Sequence, residues 1–271
     1  MTPPIILSIA GSDCSGGAGI QADIKTISAL GGYAASAITA ITVQNTLGVQ
    51  AVQPLPTDLV RAQIEAVMDD LQPKAIKIGM VHNAEIVTTI ADCIRIYRPE
   101  FVVYDPVMIS TSGRHLMTEE TIQVIKEKLF PLCTLLTPNL NEAGLLYGHP
   151  ITNTNEMEQA VHDLSHLYNT SILIKGGHLE GNEMCDILYS QTSVSRESAC
   201  TFYTHSKIDS HNLHGTGCTL SSAIATYLAC NNSLDEAVNQ AKAYISTAIS
   251  NGKDLQIGHG NGPLWHFPLS E

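Results

Sequence analysis

The chain of 271 residues is long enough to bury a sizeable core, and nothing in it marks a linker. Its formal net charge of -12 argues against a nucleic-acid-binding surface and against attachment to an anionic membrane. Seven cysteines, an odd number without a CxxC pair, argue against a disulfide framework or a zinc knuckle and predict a reducing, cytoplasmic location. We expect neither a signal peptide nor a membrane-spanning helix.

Short runs rich in Ile, Val and Leu predict buried strands, and segments with apolar residues at helical spacing, such as 57–71 and 84–97, separate most of them. This alternation predicts parallel crossovers and a sheet covered on both faces. After residue 181 the pattern indicates two antiparallel strands, followed by helices at 216–230 and 233–250. Because ligands of such sheets bind beyond the carboxyl ends of strands, the residues just after each strand are the candidates for function. The predicted strands before residue 181 are 5–10, 36–43, 75–80, 101–107, 133–139 and 171–177.

The first glycine-rich segment, "AGSDCSGGAGIQAD" at residues 10–23, follows a predicted strand and opens a helix. Its Gly17, Gly19 and Ala22 match the GxGxxA pattern of dinucleotide-binding enzymes, which makes an NAD-dependent oxidoreductase one alternative. That pattern requires an acidic residue about 20 positions further on, whereas residues 24–56 contain no Asp or Glu. The glycines therefore either form a tight turn or let the backbone approach another ligand.

Three later segments place polar side chains at the ends of predicted strands. Asp105 ends one strand, and a desolvated carboxylate there requires a metal, a lysine or a hydroxyl, unless it caps a helix or loop. Asn139 and Glu142, three residues apart, fit either a helix-capping arrangement or a pair of oxygen ligands for hydrated Mg²⁺. Lys175 ends an apolar strand beside two glycines, a position suited to a phosphate oxygen.

The segment "HGTGC", residues 214–218, lies directly before an apolar helix, where backbone N–H groups at the helix N-terminus bind anions. We expect this position to lower the pKa of Cys218. Three roles compete for this thiol: a covalent nucleophile, a base beside a bound anion, and a small hydrophobe that closes a turn. A cysteine hydrolase would pair it with a histidine such as His178, His211 or His214.

Phosphoryl transfer from MgATP gives a joint purpose to all of these groups, whereas a cysteine hydrolase leaves several of them unused. The transfer needs carboxylates for a metal, a lysine on phosphate, backbone donors for developing charge and a base for the acceptor hydroxyl. The residues at the strand ends therefore favour a small-molecule kinase.

The chain resembles the ribokinase-like superfamily and, within it, the hydroxymethylpyrimidine/phosphomethylpyrimidine kinases of thiamine biosynthesis. The resemblance implies one domain over residues 1–271 with an α/β, three-layer ribokinase-like fold, in which helices cover both faces of a mostly parallel central sheet. It also implies ATP and Mg²⁺ as cofactors, hydroxymethylpyrimidine and its phosphate as small-molecule substrates, and a homodimer. The segments that carry it, in order over nearly the whole chain, are "IAGSDCSGGAGIQADIKT", "AITAITVQNTLGV", "KIGM", "YDPVM", "TPNLNEA", "IKGGH", "HGTGCTLSSAIA" and "GHGNGPLWHF".

The resemblance also implies roles for individual residues. Gln44 would hydrogen-bond the pyrimidine ring, since its amide donates and accepts at once, and Cys218 would be the base for the hydroxymethyl group. The backbone near Gly11 and the side chains of Asp23, Met80 and Val107 would shape the pyrimidine pocket. The nucleotide would be contacted by Lys175, Asn139, Glu142 and Lys242, the metal by Asp105 and Glu142, and the anion hole would be formed by the amides of Gly215, Thr216 and Gly217.

Several alternatives stay open beside this function, among them the cysteine hydrolase and the NAD-dependent oxidoreductase, which would be revived by an absence of ADP formation. Some similar kinases with the same cysteine phosphorylate pyridoxal, pyridoxine or pyridoxamine, so a vitamin B6 kinase is the alternative on the same fold. A non-catalytic binding module would bind ATP without turnover. We also expect residues 108–120, which are polar and contain Gly113, to form a mobile loop.

Overall fold

A computed structural model describes residues 2–108, 117–177, 183–191 and 200–267. The strands in this part of the chain are β1 (Ile5–Asp13), β2 (Tyr33–Asn45), β3 (Gly48–Pro54), β4 (Ala75–Ile78), β5 (Phe101–Tyr104), β6 (Leu135–Leu136), β7 (Ser171–Ile174), β8 (Glu183–Tyr189) and β9 (Cys200–Ser206). They form one nine-stranded sheet in the order β3-β2-β1-β4-β5-β6-β7-β8-β9. All neighbours from β2 to β7 pair in parallel, and β3, β8 and β9 pair antiparallel.

Helices pack on both faces of this sheet. They are α1 (Gly19–Ala29), α2 (Thr57–Asp70), α3 (Ala84–Tyr97), α4 (Glu119–Val124), α5 (Leu140–Tyr147), α6 (Thr154–Tyr168), α7 (Thr216–Ala229) and α8 (Leu234–Gly252). Helix α4 continues into a π-helical turn, Ile125–Leu129, and a 3₁₀ turn, Phe130–Leu132.

Two hydrophobic cores lie on opposite faces of the sheet, because successive side chains of a strand point to opposite sides. Leu7 of β1 and Tyr104 of β5 belong to the core shared with α2, α3, α5 and α6. Their neighbours Ile6 and Val103 belong to the other core, which is shared with α1, α7 and α8. The structure therefore confirms the predicted three-layer α/β architecture and its mostly parallel sheet.

The largest departure from the sequence prediction is β3, an edge strand that the apolar pattern did not indicate. It pairs antiparallel with β2 and has no buried residue, so it carries no apolar periodicity. Strand β1 extends beyond the predicted residues 5–10 to Asp13, across an irregularity between Ala10 and Ser12. This irregularity places Gly11 at the end of the sheet where the candidate site lies.

No helix in the described ranges has the length and apolar content needed to cross a membrane. Of the loop predicted at 108–120, residues 109–116 lie outside the described residues. Thr118 caps the N-terminus of α4, with its side chain accepting from the Thr121 N–H.

Candidate active site

Asp105 and Lys175 form an ion pair at the carboxyl ends of β5 and β7. Lys175 Nζ donates to Asp105 Oδ1 at 2.7 Å, and the Thr137 hydroxyl donates to the same oxygen at 3.1 Å. Asn139 follows β6 and lies beside Lys175 in a parallel bridge. Asp105 therefore has both a lysine and a hydroxyl as partners, as expected for a desolvated carboxylate. Asp105, Asn139 and Lys175, three of the predicted nucleotide and metal residues, lie close together.

Glu142 closes a capping box at the start of α5. Its carboxylate accepts from the Asn139 N–H at 2.9 Å, and the Asn139 side chain accepts from the Glu142 N–H at 2.9 Å, which confirms the capping interpretation. The Glu142 carboxylate also accepts from the Met108 N–H at 3.3 Å. Burial raises the pKa of Glu142 to about 7; Lys175 opposes this shift, whereas Asp105 adds to it.

A hydrated cation fits the carboxylates of Asp105 and Glu142, although their role as metal ligands stays a prediction. Both are buried and supply the oxygen donors that Mg²⁺ prefers. The negative charge of Asp105 raises the pKa of Glu142, and a divalent cation would relieve this repulsion. In the described parts of the chain no group of three or more His, Cys, Asp or Glu could hold a metal.

The N-terminus of α7 meets this ion pair directly. A Cβ atom added at Gly217 would lie 2.8 Å from Asp105 Oδ2 and 3.3 Å from Lys175 Nζ, so a side chain there would fill the space beside them. Gly215 is the N-cap with a φ of 88°, in the left-handed region that favours glycine. The Thr216 N–H bonds to Leu213 O at 3.3 Å within the turn. The N-terminus of α7 carries the positive end of the helix dipole, and it faces the site where Lys175 would hold phosphate.

The pKa of Cys218 shifts in the direction opposite to the one predicted. Burial raises it to about 11, Lys77 opposes this rise, and Asp23 and Asp105 add to it. The helix N-terminus lowers the pKa of an exposed thiol, but at this half-buried position the cost of desolvating a thiolate is larger. Without ligand, Cys218 is therefore a protonated thiol at neutral pH.

Lys77 is a residue that the sequence analysis missed. Its Nζ lies 2.7 and 2.9 Å from the two carboxylate oxygens of Asp23, and both side chains have no exposed area. Ser222 donates to Asp23 Oδ1 at 2.8 Å and Ser8 donates to Oδ2 at 2.5 Å. Burial opposes the charged form of Lys77, but Asp23 and Cys218 raise its pKa. A lysine within the buried strand "AIKI" was the available signal, because a buried ammonium needs a paired acid.

Asp23 is therefore placed beneath the site and has no accessible surface through which it could touch a substrate. Lys242 is similarly engaged: its Nζ lies 2.5 Å from Asp186 Oδ2, and Asp186 Oδ1 accepts from the Gly176 N–H at 2.8 Å. Lys242 thus supports the segment after Lys175 indirectly, through Asp186. The structure does not present either predicted side chain to a ligand directly.

Three of the predicted pyrimidine residues, Gly11, Gln44 and Met80, lie at or near the ends of β1, β2 and β4. A Cβ atom at Gly11 would lie 2.7 Å from Met80 Cε, so these two residues are in contact. Gln44 at the end of β2 is held at its backbone by Cys14, whose Sγ donates to Gln44 O at 3.1 Å. The Val107 N–H donates to Asp105 O at 2.8 Å, so Val107 lies next to the ion pair in the segment after β5.

Asp13 is a second residue that the sequence analysis did not assign. Its carboxylate accepts from the backbone N–H groups of Gly17 and Ala18, at 3.1 and 2.7 Å, and from His214 Nε2 at 3.0 Å. Burial would raise the pKa of Asp13, but hydrogen bonds from His214, Ser15 and Gln44 hold it well below its usual range. These contacts fill the amides that a dinucleotide pyrophosphate would need, which contradicts the oxidoreductase alternative.

The contacts of His214 also bear on the cysteine hydrolase. Its Nε2 bonds to Asp13, and no histidine among the described residues is hydrogen-bonded to the thiol of Cys218. His178 lies outside the described residues. The described site thus lacks the thiol–imidazole pair that nucleophilic catalysis by cysteine needs.

Comparisons with known proteins show the family and the fold of the chain. A family model of phosphomethylpyrimidine kinase matches residues 13–265. A hydroxymethylpyrimidine/phosphomethylpyrimidine kinase of Rhizobium meliloti is 48% identical over 264 residues, covering 97% of each chain. The crystal structure of phosphomethylpyrimidine kinase from Clostridium difficile superposes with a TM-score of 0.79 at 44% identity, over 91% of this chain and 99% of that one. The pyridoxal kinase of Staphylococcus aureus, in complex with AMP-PCP and pyridoxal, gives a TM-score of 0.87 at 33% identity over 98% and 94%.

The Lys77–Asp23 pair yields a stability prediction. Lys77→Met leaves a buried carboxylate without its cation and should lower the free energy of unfolding by about 3–5 kcal/mol. The double variant Lys77→Met with Asp23→Asn removes both charges while keeping an acceptor for the serines, and should recover at least half of the loss. Urea denaturation measures both.

The matched control is Lys74→Met. Lys74 forms a partly exposed pair with Glu100 at 3.5 Å, so its loss should cost less than about 1 kcal/mol. The interpretation of a buried, mutually dependent pair is wrong if Lys77→Met costs no more than Lys74→Met.

Proposed function

The chain belongs to the phosphomethylpyrimidine kinase family, and we propose that it phosphorylates 4-amino-5-hydroxymethyl-2-methylpyrimidine and then its monophosphate, with ATP as the donor. The product would be the diphosphate used in thiamine biosynthesis. One observation carries the proposal: the N-terminus of α7 at Gly217 lies against the Asp105–Lys175 ion pair. Backbone donors, a carboxylate and a lysine at one point are what transfer of a phosphoryl group requires.

In this function Lys175 would bind a phosphate oxygen of ATP, and the amides at the start of α7 would stabilise charge that develops on the transferred group. Asp105 and Glu142 would hold Mg²⁺, which neutralises phosphate charge. The pyrimidine would lie between Gly11 and Gln44, whose side-chain amide matches the donor and acceptor of an aminopyrimidine. The hydroxymethyl group would then point to Cys218.

In the first transfer the proton of the hydroxymethyl group would pass to the thiolate form of Cys218, whose own proton must first have been released to solvent. A thiol with a pKa of about 11 is a poor base at neutral pH, so the positive charge of Lys77 is needed to limit the cost of forming the thiolate. In the second transfer the acceptor is a phosphate that is already ionised, and no strong base is needed. The two steps should therefore depend on Cys218 to different extents.

A vitamin B6 kinase is the second candidate. The similarity to the pyridoxal kinase of Staphylococcus aureus, which is known in complex with pyridoxal and an ATP analogue, favours it. Pyridoxal also bears a hydroxymethyl group, so the anion hole and Cys218 would serve both substrates.

We infer that the chain forms one domain, since a single sheet carries all the strands of the described residues. A reducing compartment such as the cytoplasm fits its seven cysteines, an odd number without a CxxC pair. Cell fractionation measures this location.

We further propose a homodimer that buries the outer face of β2. Ile41 and Val43 are two residues apart, lie on one face of the strand and expose 41% and 52% of their surface; Leu47 in the following turn exposes 69%. Val43→Lys should convert a dimer to a monomer in sedimentation equilibrium, because a charge cannot be buried without a partner. Leu167→Lys, at an even more exposed position on α6, is the control. A monomeric wild-type chain would contradict the proposal.

The function is tested by coupled ADP release with hydroxymethylpyrimidine, its monophosphate, pyridoxal and pyridoxine in parallel. We expect kcat/KM for hydroxymethylpyrimidine to exceed that for either B6 vitamer by roughly 10-fold or more, since a site built to hydrogen-bond its substrate discriminates strongly. Chelation of Mg²⁺ should abolish turnover. Preference for pyridoxal would establish the second candidate, and absence of ADP with all four compounds would refute both.

Replacement of Cys218 separates the two transfers. Cys218→Ala should lower kcat of the first transfer by about 10²- to 10⁴-fold, the usual contribution of a general base, and the second transfer far less. In the wild type, kcat/KM of the first transfer should rise between pH 7 and pH 9 (about tenfold per unit at most), because the thiolate fraction grows below the pKa. Cys218→Ala should remove this rise.

The control for this variant is Cys230→Ala, since Cys230 is an exposed thiol just after the other end of α7. Equal losses in both transfers on Cys218→Ala would show that the thiol does not act as the base.

A further inference from the structure

A hydrogen bond between two side chains joins the glycine-rich loop to the turn that precedes α7. His214 Nε2 and Asp13 Oδ2 lie 3.0 Å apart, although 201 positions separate them in the chain. Asp13 is 2% exposed, and His214 directly precedes Gly215, the N-cap of α7. The loop that ends β1 and the candidate anion hole therefore share one ionised carboxylate.

Asp13 also fixes the shape of the loop itself. Its Oδ1 accepts from the backbone N–H and the hydroxyl of Ser15, at 2.8 and 2.7 Å, and its Oδ2 accepts from Gly17 and Ala18. Gln21 accepts from the Asp13 N–H at 2.8 Å. The Asp13 carboxylate thus accepts from the loop and from His214 at once. A shift of the loop must therefore shift the position of His214 as well.

The backbones of loop and turn are packed without spare room. A Cβ atom at Gly215 would lie 1.9 Å from Gly17 O, and a Cβ atom at Gly17 would lie 2.4 Å from His214 Cδ2. Only glycine permits this approach at either position. Loop and turn are thus in direct contact beside the hydrogen bond.

A second connection reaches His214 from behind, through the C-terminal segment 257–267. The His214 N–H donates to Gly262 O at 3.0 Å, and the Asn261 N–H donates to Thr46 O at 2.9 Å. The Thr46 hydroxyl accepts from the N–H groups of His259 and Gly260, each at 3.1 Å. Thr46 lies two residues after Gln44, so the hairpin that carries the pyrimidine-binding amide is also tied to His214.

We propose that Asp13 and His214 are a positioning pair that couples the pyrimidine-binding loop to the anion hole, so that a bound pyrimidine fixes the geometry of Gly215 to Cys218. This inference rests on the proposed kinase function. Neither residue touches the reacting atoms; they act through the loop and the turn. The pair would contribute to the transition state by holding the amides of the turn in place, since small displacements of positioned groups are costly in rate.

The test compares His214→Ala with His214→Gln. Alanine removes the donor to Asp13, whereas the glutamine amide can donate to the same carboxylate oxygen. His211→Ala is the control, because His211 is an exposed histidine three residues earlier in the same segment. For His214→Ala we expect kcat of the first transfer to fall roughly 10- to 100-fold, the loss typical of a hydrogen bond to a charged group. KM for the pyrimidine should change less than about threefold, since the lost contact acts in the transition state.

Hydrogen exchange gives a readout that does not depend on turnover. In the wild type, hydroxymethylpyrimidine without nucleotide should slow amide exchange in residues 213–219, and His214→Ala should abolish that protection while His214→Gln retains it. His214→Gln should also recover most of kcat. A purely structural role would instead lower the melting temperature of both variants and leave the pyrimidine-dependent protection intact.

The outcomes separate this inference from the function on which it rests. If the wild type releases ADP and His214→Ala keeps its kcat, or His214→Gln is as impaired as His214→Ala, the positioning pair is refuted and the kinase function stands. If the wild type binds the pyrimidine with protection at 213–219 but releases no ADP, the coupling stands and the proposed reaction is wrong. If the pyrimidine neither protects these residues nor supports turnover, both are refuted.

Discussion

The parallel pairing of the strands from β2 to β7 is the constraint on which the candidate site depends. It brings the carboxyl ends of β1, β2, β4, β5, β6 and β7 to one edge of the sheet, so that residues far apart in sequence become neighbours. Asp105, Asn139 and Lys175 each follow a different strand, yet they lie side by side. Helix α7 then packs across the sheet from the opposite core and delivers its N-terminus to the same edge.

Buried charge in and below this site is balanced in pairs. Lys77 bonds to Asp23, Lys175 bonds to Asp105 and Lys242 bonds to Asp186, and each of the three pairs includes at least one nearly inaccessible side chain. A buried ion needs such a partner because taking a charge out of water costs free energy, and only a close ion of opposite charge offsets that cost. The Lys175–Asp105 pair lies beside Gly217 at the N-terminus of α7. MgATP would offer both of its members new partners, a phosphate for the lysine and a cation for the carboxylate. The Lys77–Asp23 and Lys242–Asp186 pairs lie below the site and support the segments that would bind MgATP.

The thiol of Cys218 illustrates how two local effects compete. A helix N-terminus favours the thiolate, and this was the basis for expecting a lowered pKa. In the folded chain, burial and the carboxylates of Asp23 and Asp105 outweigh that effect, whereas Lys77 works against them. In the proposed function only the thiolate of Cys218 can take the proton, so the charge of Lys77 and the pH decide how much of the enzyme carries the active base.

The sequence by itself determined the features that depend on neighbouring residues. Alternating apolar strands and helices predicted the layered α/β architecture. The spacing of Asn139 and Glu142 predicted either a capping box or a pair of metal ligands, and the structure shows the capping box. The HGTGC segment gave the start of α7, with a left-handed Gly215 at its N-cap. Each follows from backbone periodicity or from contacts within a few residues.

Only the tertiary structure decided which distant groups meet. Asp23 was expected at the pyrimidine and is bonded to Lys77 instead; Lys242 was expected at the nucleotide and is bonded to Asp186. The link from Asp13 to His214 and the direction of the Cys218 pKa shift were likewise invisible in the sequence. The physical reason is the same in each case: desolvation and ion pairing depend on segments that pack together from opposite parts of the chain, and no local pattern records which segments those are.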